Sequence, residues 1–325
     1  MINNMNPSFQ NYEKTDVSVY TGRVSEHKNY LHEKIICIDV ITQNLITNQS
    51  QSYALMGYNC DEGVRRNKGR IGATNGSIAV RKVLGTLANH LPTNTQLFDL
   101  GNIKCVNQNL EQAQDEMTAL LSFTLSKNIF PLVIGGGHDV SFAHYRAIEH
   151  KYPDKKIGII NFDAHFDLRN IENQGNSGTP FYQISNLTKN FQYLCLGINR
   201  ASNTKELFKT ADKLKVQYIE DHEFNLYNLH SIQNVLNTFI NSVDHVYLTI
   251  DMDGFSAAYS PGVSAPSSLG FSTDIVLATL KIICDSKKII SADIVEFNPI
   301  YDQDNRTAKL VAQLVLFILQ QLENN

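Results

Sequence analysis

The sequence predicts an α/β fold with a mainly parallel central sheet, and three observations carry that reading. Short apolar runs rich in Ile, Val, Leu and aromatics recur at 130–134, 157–160, 193–196 and 246–250, and again at Ile289, Ile290 and Ala292. Runs of that length and composition suit strands buried on both faces. Helix-like stretches separate them, at 111–127, 141–150, 204–210, 229–241, 273–284 and 307–322. Strand alternating with helix gives βαβ units. Each apolar run also ends in a polar or glycine-rich cluster: GGGHD, NFDAHFD, GINR, DMD and DIVEFNP in turn.

In chain order, residues 1–30 are polar and are expected to form an N-terminal arm, with 31–325 as a single α/β domain. No internal repeat, low-complexity tract or Pro/Ser-rich linker divides the chain, and its 325 residues suit one large α/β domain. Helix 111–127 leads into the first run, FPLVI, and 141–150 into the second. Within 307–322, Leu310, Val311, Leu314, Phe317 and Ile318 recur at helical spacing, which predicts a core-facing stripe.

Composition narrows the function classes. Hydrophobic residues make up 42% and charged residues 18%, enough to bury a core without disulfide or metal staples. Lys plus Arg number 28 against 32 Asp plus Glu, a net charge of -4. That balance argues against a sequence-wide grip on nucleic acid or anionic lipid. No run approaches the ~18 apolar residues of a membrane span, and the first twenty residues lack a secretory pattern. Five scattered cysteines without a CxxC predict reduced thiols in a cytoplasmic protein.

Ligands of an open parallel sheet gather beyond the carboxyl ends of its strands, where these polar clusters fall. Asp163, His165 and Asp167 in DAHFD are spaced two apart, so on an extended segment their side chains share a face. Asp251 and Asp253 repeat the step, and His138 follows three glycines that permit a tight turn. Imidazole nitrogens with carboxylate oxygens suit Mn²⁺, Fe²⁺, Co²⁺ or Zn²⁺. Four converging carboxylates would repel one another without cations, whereas two divalent ions balance them. Two ions ~3.5–4 Å apart can share a water and lower its pKa toward ~7, which is hydrolytic chemistry.

With these motifs in place, the chain resembles the ureohydrolase family of arginases, agmatinases and formimidoylglutamases, from about Leu55 to Leu322 through GGGHD, DAHFD, DMDG, APSSLG and DIVEFNP. The resemblance implies a three-layer α/β/α fold, a binuclear Mn²⁺ centre and a homo-oligomer. It implies that His138 and Asp167 serve the first metal, His165 and Asp253 the second, and that Asp163 and Asp251 bridge them. Glu296 matches the family's acidic residue beside the reacting amidine, with a role in orientation, and Asp293 would hold the ligands from behind.

The stretches CDEGVRRN, SGTPFYQ, LGINRASNT and SPGVSAP look like the formimidoylglutamase subgroup. The implied reaction is hydrolysis of N-formimidoyl-L-glutamate to L-glutamate and formamide, a late step of histidine breakdown, by a hydroxide on the metals. A substrate with two carboxylates calls for cations and neutral donors. Arg169 can grip a carboxylate bidentately, and Arg66, Arg200, Asn67, Asn203 and Ser177 are further candidates. Two departures stand out. Ser177 occupies the place of a histidine that arginases and agmatinases carry, leaving His222 or water as proton donor. Ser256 replaces an aspartate three residues after Asp253. An agmatinase-like guanidino hydrolase and a non-catalytic metal-binding regulator are the alternatives.

Overall fold

The computed structural model describes residues 9–47 and 51–324. In chain order the strands are β1 (Tyr12–Glu13), β2 (Ile36–Cys37), β3 (Ser52–Asn59), β4 (Gln96–Lys104), β5 (Phe130–Ile134), β6 (Ile157–Phe162), β7 (Gln192–Ile198), β8 (Gln217–Glu220), β9 (His245–Asp251) and β10 (Ile289–Val295). They form one sheet in the order β1-β4-β3-β5-β10-β9-β6-β7-β8, with β2 also paired to β4. Every pairing is parallel except β1 with β4.

The helices are α1 (Glu62–Arg66), α2 (Gly76–Leu84), α3 (Leu110–Ser126), α4 (Val140–Lys151), α5 (Pro180–Leu187), α6 (Lys205–Lys213), α7 (Leu229–Asn241), α8 (Thr273–Asp285) and α9 (Arg306–Glu323). Strand residues alternate between two apolar clusters because side chains alternate across a sheet. Leu248 and Ile250 face α2, α7, α8 and α9, while Tyr247 faces α3 to α6. The result is the three-layer α/β/α arrangement. Among the described residues, no helix is long and apolar enough to cross a membrane.

The topology positions the site. Strands β5, β10, β9 and β6 are consecutive neighbours, so the segments leaving their carboxyl ends meet. Register fixes the depth: Asp251 lies opposite Val295 and Ile250 opposite Phe162, one residue before Glu296 and Asp163 respectively.

The amino-terminal half departs from the pattern expected. Strands β3 and β4 were not foreseen, because Gly57, Asp99 and Asn102 interrupt their apolar runs. The interruption has a structural cause. Asp99 accepts from the fully buried Arg81 of α2 through two nitrogens, at 2.6 and 3.1 Å, and Arg81 also donates to Asn102. Removing one partner of such a buried pair costs ~3–5 kcal/mol. The arm expected over 1–30 is not free where it is described. Tyr12 and Glu13 pair with β4, and Thr15 and Tyr20 donate to Asp99. Residues 1–8 of that arm lie outside the described residues.

Candidate metal centre

Each candidate ligand sits at a strand end or in the segment that follows it. Gly135, Gly136 and Gly137 carry the chain from β5 to His138, with Gly135 N–H bonded to Ile294 C=O and Gly137 N–H to Cys60 C=O. A Cβ on Gly136 would lie 1.7 Å from the Cys60 oxygen, so only glycine fits. The Asp163 carboxylate accepts from the His165 amide at 2.7 Å, and that of Asp251 from the Asp253 amide at 2.7 Å. These two-residue turns hold Asp163 beside His165 in one ligand group and set Asp251 and Asp253 in the two neighbouring groups.

The ligands converge as two groups. His138 Nδ1 lies 3.2 Å from Asp163 Oδ2, 3.1 Å from Asp167 Oδ2 and 3.1 Å from Asp251 Oδ2. His165 Nδ1 lies 3.5 Å from Asp163 Oδ1 and 3.3 Å from Asp253 Oδ2. Asp163 is thus common to both, one oxygen to each. Within each group the ligand atoms lie within 4.8 Å of one another, close to the ~4.4 Å that two ligand bonds of ~2.0–2.2 Å can span across an ion. Asp251, expected as a second bridge, falls in the first group.

The donor set fits divalent ions on a further observation. His138 Nδ1 and Asp253 Oδ1 are buried without a hydrogen-bond partner. The other imidazole nitrogen, His138 Nε2, is 3.0 Å from the Thr249 hydroxyl, which itself donates to Asp293. With Nε2 engaged there, Nδ1 is the ring nitrogen that faces the carboxylates. Asp293 also accepts from His144 Nδ1 at 2.7 Å and from Tyr247, so it anchors Thr249 behind His138.

Without cations the site is electrostatically uncomfortable. Burial opposes charge on His138, but Asp163, Asp167 and Asp251 overcome it and raise its pKa well above the usual imidazole value. Burial opposes charge on His165 too, and Asp253 and Asp163 raise it. Burial, Asp253 and Asp163 push Asp251 well up. These shifts favour a bound proton on His138, His165 and Asp251 when no cation is present, and a metal would compete with those protons.

Above this floor lies a cavity of about 210 Å³, small for a ligand site and sized for a metabolite. Glu296 lines it, in a left-handed conformation (φ 64°), and accepts from the His138 amide at 2.8 Å. Burial, then Asp253, push its carboxyl up to about 8.

Arg169, Asn67 and Ser177 line the cavity as expected. The exposed Arg169 guanidinium has no acidic partner among the described residues, while the Asn67 amide donates to Ser177 Oγ at 3.1 Å. Asn203 also borders the cavity, but its amide is committed to Ala164 C=O, Asn199 C=O and the Phe166 amide, bracing the DAHFD segment.

Two expectations require correction. Arg200 is not at the site: its guanidinium pairs with Glu220 of β8 and lies over the Phe208 ring. Arg66 is tied to Glu62, Glu111 and Gly175 C=O beside the cavity and does not line it. His222 is 69% exposed beside Glu220 and Asp221, and it does not line the cavity either. Ser256 borders a β-bridge to Ser267, outside the ligand groups.

Sequence reasoning missed Thr249 and Asn161. Asn161 Nδ2 donates to Asp163 Oδ2 at 3.0 Å and lies 2.8 Å from the Tyr193 hydroxyl. A step of two back from Asp251 and Asp163 would have found both, since strand residues two apart share a face.

Comparison with known proteins identifies the family and the fold. Residues 51–320 match the Arginase family. The chain is 40% identical over 306 residues to a formimidoylglutamase of Geobacillus sp. (strain WCH70), covering 93% of this chain and 94% of that protein. The structure of formimidoylglutamase from Bacillus subtilis subsp. subtilis str. 168 superposes with a TM-score of 0.81 at 22% identity, over 93% of this chain and 94% of that one. Trypanosoma cruzi formiminoglutamase, solved with Mn²⁺, gives 0.77 at 23% identity, over 86% of this chain and 96% of that one. Both share the fold.

Proposed function

Because the chain belongs to the arginase family, we propose that it hydrolyses the carbon–nitrogen bond of N-formimidoyl-L-glutamate, giving L-glutamate and formamide, with two Mn²⁺ ions as cofactors. The observation that carries this reading is the pair of His/Asp groups sharing Asp163 beneath the cavity. The 40% identity to a formimidoylglutamase supports the substrate class.

His138, Asp163, Asp167 and Asp251 would hold one ion, and Asp163, His165 and Asp253 the other. When bound, such a pair lowers the pKa of a shared water toward ~7 and neutralises charge that develops during hydrolysis. The protein's own part is positioning. Glu296, lining the cavity beside these ligands, would serve as a carboxylate once cations offset the upward push on it, and would orient the amidinium toward the floor of the cavity. Arg169 takes a substrate carboxylate through its forked donors, and Ser177 and Asn67 add neutral donors beside it. The balance is one water consumed: its oxygen ends on formamide and the leaving nitrogen departs as the amino group of glutamate.

The experiment is a side-by-side assay of formimidoylglutamate, agmatine and arginine with Mn²⁺, following formamide and glutamate against urea. Formamide and glutamate are expected. Urea from a guanidino substrate at higher kcat/KM would move the chain to the agmatinase-like alternative, and turnover of none would leave a metal-binding regulator.

A further inference from the structure

Two cysteines on adjacent strands end against each other. Strands β3 and β4 run parallel with Asn59 opposite Lys104, and the Cys105 amide donates to Asn59 C=O at 3.2 Å. The next residue on each strand is Cys60 and Cys105. Neighbouring strands lie ~4.7–4.9 Å apart, inside the ~4.4–6.8 Å between Cα atoms that a disulfide spans. Both thiols are free, at matching places on the paired strand ends.

The two are unequal. Cys60 is wholly buried, and burial pushes its thiol up. Cys105 is only partly buried, and the Cys60 thiol favours its thiolate against the opposing pull of partial burial and of the Glu62 and Asp139 charges. An accessible sulfur inclined to ionise, next to a buried one, is the arrangement of an attacking and a resolving cysteine.

Cys60 is also part of the metal-binding loop. Its carbonyl accepts from the Gly137 amide at 3.0 Å, and Gly136 packs directly on that oxygen. His138 is the next residue along. A change in the Cys60 backbone would therefore be felt at that contact.

We propose that Cys60 and Cys105 form a reversible thiol–disulfide pair, oxidised by a hydroperoxide, whose state is passed to the His138 loop through the Cys60 carbonyl. The Cys105 thiolate attacks one peroxide oxygen; the O–O bond breaks, leaving Cys105 as a sulfenic acid and releasing an alcohol, or water from hydrogen peroxide. The Cys60 sulfur then attacks Cys105 Sγ, the S–O bond breaks, and the hydroxyl leaves as water with the Cys60 proton. Two thiols are oxidised and one peroxide is reduced.

The test treats the full chain with hydrogen peroxide, alkylates remaining thiols, and maps peptides by mass spectrometry without reductant. A linked Cys60–Cys105 peptide is expected, lost on addition of dithiothreitol and absent from Cys105→Ser. Amide exchange at Gly137 should accelerate on the order of tenfold in the oxidised wild type, as for one weakened hydrogen bond, and stay unchanged in peroxide-treated Cys105→Ser. Complete alkylation of both cysteines, or Cys105 advancing to a sulfinate without a link, would overturn the pair. A linked peptide with unaltered Gly137 exchange would overturn the coupling. Neither readout needs a bound cation, so both are independent of the proposed metal centre.

Discussion

Replacing Arg169 by Ala probes the substrate-facing side of the cavity. The guanidinium is exposed at the cavity wall and has no acidic partner among the described residues, so its removal strands no buried carboxylate. A hydrogen bond to a charged group contributes ~1.5–3 kcal/mol. Solvent screening at an exposed position favours the lower part of that range, about 1.5–2 kcal/mol, or a factor of about 10–30. The loss should appear in KM for formimidoylglutamate, with kcat changed by less than about threefold, because the carboxylate is gripped equally before and during reaction. Arg169→Lys keeps the charge but loses the fork, so an intermediate KM is expected. The assay is steady-state hydrolysis in excess Mn²⁺, with thermal unfolding as a control that should move little. Unchanged KM and kcat, or a fall in kcat alone, would refute this placement of Arg169.

Other perturbations test separate parts of the site. In the cation-free protein, Glu296 has its carboxyl raised from 4.5 to about 8. Its contribution to stability is therefore present below pH 4.5 and lost as the pH rises toward 8, because the unfolded chain releases that proton first. Glu296→Gln should flatten this part of the denaturation profile with EDTA present, and an unchanged profile would contradict the burial argument. Thr249→Val removes the hydroxyl between His138 Nε2 and Asp293, so Mn²⁺ affinity measured by calorimetry should fall ~10–100-fold; wild-type affinity would show that the link is idle. Arg200→Ala should leave KM within twofold, since Arg200 is engaged by Glu220, and a large rise in KM would place it back at the substrate.

The carboxyl-terminal half of the fold was legible because β5, β6, β7, β9 and β10 are apolar runs buried on both faces, each ending in its functional cluster. The same regularity exposed the ligands, since two-residue spacing on an extended segment is local information. What stayed hidden depends on partners distant in sequence. Asp99 and Asn102 break the pattern of β4 because their partner Arg81 lies on α2. Arg200 reads as a free cation until β8 brings Glu220 beside it, and Arg66 until α3 brings Glu111. Arg169, picked out by its place two residues after DAHFD, lies at the cavity wall without an acidic partner among the described residues.

Titration of the cation-free chain with Mn²⁺, counted by calorimetry and by metal analysis after gel filtration, bears on the centre most directly. Two equivalents per chain are expected, with proton release as His138, His165 and Asp251 give up their protons, and Asp163→Asn should lower the occupancy of both positions at once. A single equivalent in the wild type, or two retained undiminished in Asp163→Asn, would contradict a pair of ions joined through Asp163.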